Sequence, residues 1–366
     1  MFLKRRHGTV TLPTGTGKTA IALEAMRVLQ LKTAIIVPTT ALLNDWVEKL
    51  KKCGVCPGVY YGEEKRLADI TVFVINSAAL HTKTVGLFSF IVFDEVHHLG
   101  SPEFCKLLNV AKVKPYALGM SAHLKRSDER ERLIVKVLPV IYSMKVAAAM
   151  NKKFISSLKI YRAQAQMTGQ ERKLYDKYTE TIRRAAIILH TVNPSELAKM
   201  SNNPLAKACL AAMVRRKMLL SNVKDKQVKV KQILKLCKKQ RVLIFSESVK
   251  GIDAVYEYLR RNGVKCGIYH SQIDHQTRDL MLRQWKENVF QVLCAVRCLD
   301  EGIDVPECRI GVIVATGTTT KQLIQRIGRL VRKRSDGSRG LLFIVYCAGT
   351  VEVGYAQKIR WVIQNE

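Results

Sequence analysis

Long apolar runs and a secretory signal are both missing from this sequence. No run of about 18 uncharged apolar residues occurs in it, which excludes a membrane-spanning helix of ordinary length. The first seven residues include two arginines and one lysine, with neither an apolar core nor a small-residue cleavage site, so a secretory signal is not expected. We therefore predict no membrane partner and an intracellular location, in the cytoplasm, the nucleoid or the nucleus.

The spacing of the cysteines does not indicate a disulfide framework or a metal site. Ten of them are scattered along 366 residues, and Cys53 and Cys56 make a single C-x-x-C. No second pair follows at zinc-ribbon spacing, and the surrounding residues are unlike a thioredoxin site. We interpret the cysteines as ordinary thiols of a reducing compartment, and a structural zinc is not expected.

Acidic residues are half as frequent as basic ones. The chain has 61 Lys and Arg but 30 Asp and Glu, which leaves a net charge of +31. Such an excess repels itself unless a polyanion is a working partner. Charge therefore favours nucleic acid over the two alternatives, an acidic membrane surface or a generally lysine-rich proteome, without indicating which nucleic acid is bound.

The sequence does have an alternation of β-branched strands and amphipathic helices, which predicts parallel sheets covered on both faces. In the first part, strands are expected at 8–12, 33–37, 70–75, 90–93 and 116–120, with helices at 19–30 and 41–52. The C-terminal third repeats the pattern, with strands at 242–245, 266–269, 291–296, 310–315 and 341–346 and helices at 252–262 and 276–286. The length suggests about two domains, and two similar α/β layers suggest that these are related.

The middle of the chain is helical and strongly basic. Thr168 and Glu171 form a capping box that opens a helix through about His190, and Asn193 with Pro194 begins another. Residues 151–240 contain 21 Lys and Arg against 5 Asp and Glu. A solvated helical face explains part of this excess, but its concentration favours a surface that contacts phosphates.

A glycine-rich loop lies between the first predicted strand and the first predicted helix. It ends in Gly-x-Gly-Lys-Thr like a P-loop, although Leu12 stands where the general pattern has its first glycine. The glycines let backbone N–H groups approach a phosphate, the lysine can reach the β- and γ-phosphates, and the threonine hydroxyl can hold Mg²⁺. We expect ATP to be bound by seven consecutive residues, Pro13, Thr14, Gly15, Thr16, Gly17, Lys18 and Thr19.

The strand at 90–93 ends in two carboxylates and then Val96, His97 and His98. Beside a P-loop, Asp94 suits a ligand of Mg²⁺, and Glu95 suits the base that orients and deprotonates the attacking water. A zinc cluster would need three or four ligands in a geometry that this segment does not supply. The ATPase motif is therefore favoured over a metal cluster and over a solvated strand end.

With LPTGTGKT and DEVH in place, the chain resembles the superfamily 2 helicases and translocases over nearly its whole length. Five further motifs follow in family order: residues 36–42 resemble motif Ia, 121–123 motif III, 244–248 motif IV, 299–306 motif V and 325–332 motif VI. The resemblance implies two tandem RecA-like P-loop domains with ATP in the cleft between them. The expected division is 1–148 for the first domain, 149–225 for a linker and basic helical segment, and 226–366 for the second domain.

The resemblance also implies roles for individual residues. Arg329 and Arg332 would be arginine fingers on the γ-phosphate, because guanidinium stays protonated and neutralises phosphoryl charge. Gln325 joins them as a catalytic residue, and Gly302 and Asp304 would contact the nucleotide. The implied nucleic-acid contacts are Pro38, Thr39, Thr40, Ser246 and Arg297. The implied coupling residues are His97, Ser121 and His123.

Within the superfamily, the chain looks most like the XPB-type DNA-repair helicases and translocases, and less like DEAD-box RNA helicases, whose motif II ends in Ala-Asp. The implied function is ATP- and Mg²⁺-dependent movement on DNA, single-stranded or forked, or its unwinding. RNA-stimulated translocation and a nucleic-acid-binding scaffold without turnover are the alternatives. An accessory nuclease or a repair protein is the kind of partner that the resemblance suggests.

The sequence departs from the family pattern in four places. Val96 replaces the usual alanine of motif II, His123 the threonine of motif III, and Val296, beside Arg297, the threonine of motif V. Only twelve residues precede Pro13, and they contain no glutamine motif of the kind that recognises adenine. Adenine specificity is therefore inferred, and the sequence does not decide whether the missing motif reflects a shortened chain.

Overall fold

The computed structural model describes residues 2–124, 126, 128–237, 240–296, 308–314 and 338–365. Several residues named from motifs V and VI lie outside this part of the chain: Arg297, Gly302, Asp304, Gln325, Arg329 and Arg332.

The N-terminal part of the chain forms an eight-stranded sheet. Its strands are β1 (His7–Thr11), β2 (Thr33–Val37), β3 (Gly58–Tyr61), β4 (Glu64–Arg66), β5 (Ile70–Val74), β6 (Phe90–Asp94), β7 (Tyr116–Ser121) and β8 (Val140–Ser143). The order is β4-β3-β5-β2-β6-β7-β1-β8, and every described pairing is parallel except that of β3 with β4. Its helices are α1 (Phe2–Arg5), α2 (Lys18–Leu29), α3 (Thr40–Lys52), α4 (Ile75–Leu80), α5 (Thr82–Val85), α6 (Lys106–Lys112) and α7 (Glu131–Val137), with a 3₁₀ helix at Val96–Gly100.

The central strands of this sheet are buried on both faces. All five residues of β2 are buried, as a continuous β-branched run in a parallel sheet predicts. Successive residues of β6 point to opposite sides, because Phe90 and Val92 lie in one core cluster while Ile91 and Phe93 lie in another. Two cores, one on each face, therefore hold the strand that ends in Asp94.

The described residues in the remainder of the chain form a six-stranded parallel sheet. Its strands are β9 (Leu158–Ala165), β10 (Val242–Ser246), β11 (Cys266–Tyr269), β12 (Val292–Val296), β13 (Ile310–Ile313) and β14 (Gly340–Cys347), in the order β11-β12-β10-β13-β14-β9. Its described helices are α8 (Val146–Asn151), α9 (Gly169–Leu189), α10 (Pro194–Lys199), α11 (Pro204–Ser221), α12 (Lys224–Leu236), α13 (Val249–Arg261), α14 (His275–Lys286) and α15 (Glu352–Asn365).

The predicted α/β class with two parallel sheets is confirmed, and so is the capping box. The Thr168 hydroxyl accepts a hydrogen bond from the backbone of Glu171, and the Glu171 carboxylate accepts one from the backbone of Thr168. The Asn193 side chain caps α10, as expected. None of the helices in the described ranges combines the length and the apolar character that crossing a membrane would require.

Strand β9 was not predicted, and it bears on the division into domains. It lies inside the segment 149–225, which was interpreted as linker and helices, yet it pairs with β14 along eight residues. Val146 and Ala149 of α8 likewise pack into a core of the second sheet. The boundaries at 148 and 225 stay a prediction, but the second sheet draws its edge strand from before residue 226.

Candidate nucleotide site and its connections

The P-loop connects β1 to α2 at the carboxyl edge of the first sheet. The backbone N–H of Leu12 donates to the carbonyl of Ser121 at 3.0 Å, so the chain stays beside β7 for one residue beyond β1. The Leu12 side chain is 4% exposed and packs in the core. Leucine at this position therefore anchors the start of the loop, and the turn itself is made further on.

The turn is made by glycines in a left-handed conformation. Gly15 has φ 86° and Gly17 has φ 95°, values that favour residues without a Cβ. The Thr16 hydroxyl donates to the carbonyl of Pro13 at 2.8 Å, which holds the loop closed on itself. Gly17 is the N-cap of α2, no side chain caps the helix there, and its first turn contains no acidic residue. The loop and helix therefore present backbone N–H groups and positive potential, as an anionic phosphate requires.

Lys18 and Thr19 begin α2 immediately after this turn. The Lys18 ammonium donates to the Leu12 carbonyl at 3.1 Å, so it folds back over the loop. Burial and the charge of Glu95 raise the pKa of Asp94, and the positive charge of Lys18 offsets part of this rise. Lys18 and Asp94 thus interact electrostatically, as expected of a lysine and a carboxylate that bind the same Mg²⁺–nucleotide complex.

Asp94 is the last residue of β6, and both of its oxygens accept hydrogen bonds. Oδ2 accepts from Trp46 Nε1 at 2.9 Å, and Oδ1 accepts from the backbone N–H of Glu95 at 3.0 Å. Burial and the adjacent Glu95 charge nevertheless raise the pKa of Asp94 overall. A divalent cation would offset the cost of burying the charged carboxylate, because it favours the ionised form. The Asp94 carboxylate therefore fits a ligand of Mg²⁺.

Glu95 turns the chain out of β6. Its backbone is left-handed, with φ 50° and ψ 52°, and it precedes the 3₁₀ helix. Its carboxylate Oε2 lies 3.3 Å from the Ser121 hydroxyl and 3.3 Å from His97 Nδ1. The base proposed from the sequence is therefore in contact with two of the three proposed coupling residues.

Ser121 is the hub of this group. Its hydroxyl lies 2.9 Å from His97 Nδ1, accepts from the His123 backbone N–H at 3.2 Å, and lies 2.9 Å from the His123 carbonyl. The two contacts with His123 use its backbone, which any residue except proline would supply at this position. The coupling role of all three residues stays a prediction, and the structure gives it a shared hydroxyl through which to act.

Sequence reasoning missed Trp46 and Arg126. Trp46 is fully buried on α3, so its helical spacing indicates only a core residue. Arg126 donates from Nη1 to the His97 carbonyl at 2.8 Å and forms a bidentate pair with Asp128, at 2.8 and 2.7 Å. This pair holds the pKa of Asp128 well below its usual range. The hydrogen bonds from Trp46 to Asp94 and from Arg126 to His97 join residues 48 and 29 positions apart, and no local motif indicates them.

The proposed nucleic-acid contacts fall on both sheets. Thr39 follows β2 and caps α3, accepting a hydrogen bond from the Leu42 N–H at 3.3 Å; Pro38 is half-buried and Thr40 is exposed. Ser246, in the second sheet, is 1% exposed, and its hydroxyl bonds to the backbone of Ser248. The Ser246 hydroxyl is therefore already used within its own loop. Its contact with nucleic acid stays a prediction, like those of the other three.

Two family models match this chain. The model described as "Type III restriction enzyme, res subunit" matches residues 2–126, and that of the "Helicase conserved C-terminal domain" matches residues 225–334. The first range contains the P-loop and Asp94 with Glu95, and the second contains the proposed motifs IV to VI. Together with the relatives described next, these two matches support the assignment of the chain to the superfamily 2 helicases.

Named relatives confirm the XPB-like character of this helicase. It is 28% identical to the DNA 3'-5' translocase XPB2 of Sulfurisphaera tokodaii, over 98% of this chain and 82% of that protein. It is 24% identical to the DNA 3'-5' helicase XPB of Mycobacterium tuberculosis, over 95% of this chain but 59% of that protein. The crystal structure of the Pyrococcus furiosus Hef helicase domain matches with a TM-score of 0.62 at 17% identity, over 98% and 96% of the two chains. The tandem RecA-like fold is thereby confirmed.

Proposed function

We propose that this helicase couples ATP hydrolysis to movement on DNA, or to its unwinding. The observation that carries the proposal is the meeting, at one sheet edge, of an uncapped glycine-rich helix start with Lys18 and the Asp94–Glu95 pair. Two of its relatives are a DNA translocase and a DNA helicase, which supports DNA as the nucleic acid. A single strand or a forked duplex is the proposed substrate.

Each residue of the site has a definite task in this proposal. Backbone N–H groups at Gly15 and Gly17 cradle the phosphates, and Lys18 neutralises the β- and γ-phosphate charge. Thr19 and Asp94 would hold Mg²⁺, and the ion would supply positive charge to phosphate oxygens there. Glu95 takes a proton from the attacking water, and its contacts with Ser121 and His97 hold the carboxylate in place until then.

The second domain would complete the site. By resemblance to the superfamily, we propose that Arg329 and Arg332 contact the γ-phosphate, that Gln325 is a further catalytic residue, and that Gly302 and Asp304 contact the nucleotide. ATP binding would then draw the two domains together, and product release would let them part, which is a lid-type conformational cycle.

Phosphates, rather than base edges, are the proposed contacts on DNA. Pro38, Thr39 and Thr40 lie at the carboxyl end of β2, the same sheet edge as the P-loop. Ser246, Arg297 and the basic residues of α9 to α11 would add further backbone contacts. Such contacts predict little sequence preference and a steep dependence on salt. An accessory nuclease or repair protein and an intracellular location are proposed with this function.

The test is ATP hydrolysis by the full chain against single-stranded DNA, forked DNA, duplex DNA and RNA, with Lys18→Ala as the control. Stimulation by DNA that is lost in Lys18→Ala is the expected result. Stimulation by RNA alone would replace DNA with RNA as the substrate. Tight nucleic-acid binding without stimulated hydrolysis would instead identify a scaffold.

A further inference from the structure

Trp46 is joined to the nucleotide site although it lies in the core. It sits in the middle of α3, is 0% exposed, and packs in the cluster that contains Leu43 and Leu50. An indole N–H is a donor only, and a buried donor needs an acceptor. The acceptor here is Asp94 Oδ2 at 2.9 Å, a carboxylate 48 residues further along the chain.

This hydrogen bond fixes the orientation of the Asp94 carboxylate. The Glu95 N–H holds Oδ1 at 3.0 Å and the Trp46 indole holds Oδ2, so neither oxygen is free to rotate away. Each carboxylate oxygen has two acceptor positions, so one on each oxygen remains for a cation or its water. Such outer partners of metal ligands set ligand orientation and tune affinity.

We propose that Trp46 is a positioning residue for the metal site, acting through Asp94 on the binding of the Mg²⁺–nucleotide complex. The inference rests on the proposed function, because it takes Asp94 to be the metal ligand. It adds a residue outside every helicase motif that the sequence displays. Trp46 touches neither nucleotide nor metal; it determines how Asp94 presents its oxygens.

The second buried tryptophan supplies a matched control. Trp285 on α14 is also 0% exposed, and its indole N–H donates at 3.0 Å to the backbone carbonyl of Gln291, the residue before β12 of the second sheet. Replacing either tryptophan with phenylalanine deletes one buried N–H and keeps an aromatic ring. The two variants therefore differ in which acceptor loses its donor.

The experiment is calorimetric binding of ADP to the full chain, in EDTA and in Mg²⁺, for the wild type, Trp46→Phe, Trp285→Phe and Asp94→Asn. Trp46→Phe is expected to bind ADP normally in EDTA and to lose about tenfold of the tightening that Mg²⁺ gives. Trp285→Phe is expected to keep the full tightening. Full tightening in Trp46→Phe, or an equal loss in EDTA and in Mg²⁺, would overturn the inference.

The wild type and Asp94→Asn separate this inference from the proposal on which it rests. If Mg²⁺ tightens ADP binding equally in both, Asp94 is not the metal ligand and the proposed site itself fails. If Trp46→Phe does not fold, ¹⁹F NMR of the wild type labelled with 5-fluorotryptophan takes its place, since the chain has three tryptophans. Substituting the other two assigns the Trp46 resonance, which should shift more with Mg²⁺ and ADP than with ADP in EDTA. Equal shifts would overturn the inference.

Discussion

At the scale of single residues, Val96 and Gly119 fit one another. A Cβ on Gly119, in the middle of β7, would lie 2.9 Å from Val96 Cγ2 and 2.9 Å from the Thr9 hydroxyl. Thr9 and Val96 are both buried, at 0% and 1% exposure. Glycine at 119 thus provides the space for a valine where the family usually has alanine, directly after the proposed catalytic base.

Gly119→Ala should therefore destabilise the first domain, by about 1–3 kcal/mol from overpacking. Adding Val96→Ala should restore part of this loss, because it removes one of the two clashes and leaves that with Thr9. Urea unfolding of both single variants and the double variant measures the coupling, expected at roughly 0.5–3 kcal/mol for residues in contact. Strictly additive effects would show that the two side chains do not compete for this space.

Glu95→Gln should abolish turnover and leave ATP binding intact. Glutamine keeps the size of the side chain and can still bond to Ser121, but it cannot accept a proton from water. The expected loss in kcat is about 10²–10⁴-fold, the usual contribution of a general base. Steady-state hydrolysis and equilibrium binding of ATP measure the two properties separately. Unchanged kcat would remove Glu95 from the role of base.

The candidate-site residues that the sequence predicts are those that lie in contiguous motifs. The P-loop and the Asp94–Glu95 pair are such motifs, because glycine conformation, a helix start and adjacent carboxylates are all local properties. Trp46 and Arg126 were not predicted. The partner of Trp46 lies 48 residues away, and Arg126 donates to the carbonyl of His97, 29 residues before it. Contacts of this kind depend on the packing of α3 and the 3₁₀ helix against the sheet, which one sequence does not encode locally.

At the scale of secondary-structure elements, helix α9 depends on its first turn. The capping box satisfies N–H groups at both Thr168 and Glu171, while the helix carries several exposed charges along its length. Helix starts were predictable here because capping residues act locally. Strand β9 was not predicted, because it is an edge strand whose residues are mostly exposed or half-buried, and the alternation of its apolar and polar residues is interrupted where Tyr161 follows Ile160.

Thr168→Ala should destabilise α9 by about 1 kcal/mol, the usual cost of losing a cap. The matched control is Thr181→Ala in the interior of the same helix, where the threonine hydroxyl bonds only to the Lys177 carbonyl. Alanine has the higher helix propensity there, so the control should be neutral or slightly stabilising. Hydrogen exchange of the α9 amides reports both changes, and equal protection in the two variants would contradict the role of the cap.

At the scale of the whole molecule, the net charge is +31, but the basic side chains are not equally available to bind phosphates. On α9, Lys173 and Lys177 are exposed and lie one turn apart. Arg183 and Arg184 instead share Glu180, each at 2.8 Å, and hold the pKa of that carboxylate down to about 2. The two lysines are thus better placed for phosphates than the two arginines.

Neutralising Lys173 and Lys177 together should lower the salt dependence of single-strand binding. Each lost phosphate contact should reduce the slope of log K against log salt by about 0.7. The double variant Arg183→Ala/Arg184→Ala is the control, and a smaller change is expected from it. Fluorescence anisotropy over a salt series measures both, and identical slopes in the wild type and the lysine variant would exclude α9 from the interface.

The central claim is that ATP hydrolysis at this site drives movement on DNA, and displacement of a third strand from a DNA triplex tests it most directly. The wild type should displace the third strand in the presence of ATP and Mg²⁺ and leave it in place without ATP. Glu95→Gln should bind ATP and DNA but displace nothing. Displacement by Glu95→Gln at the wild-type rate, or none by a wild type that hydrolyses ATP on the same DNA, would contradict the account.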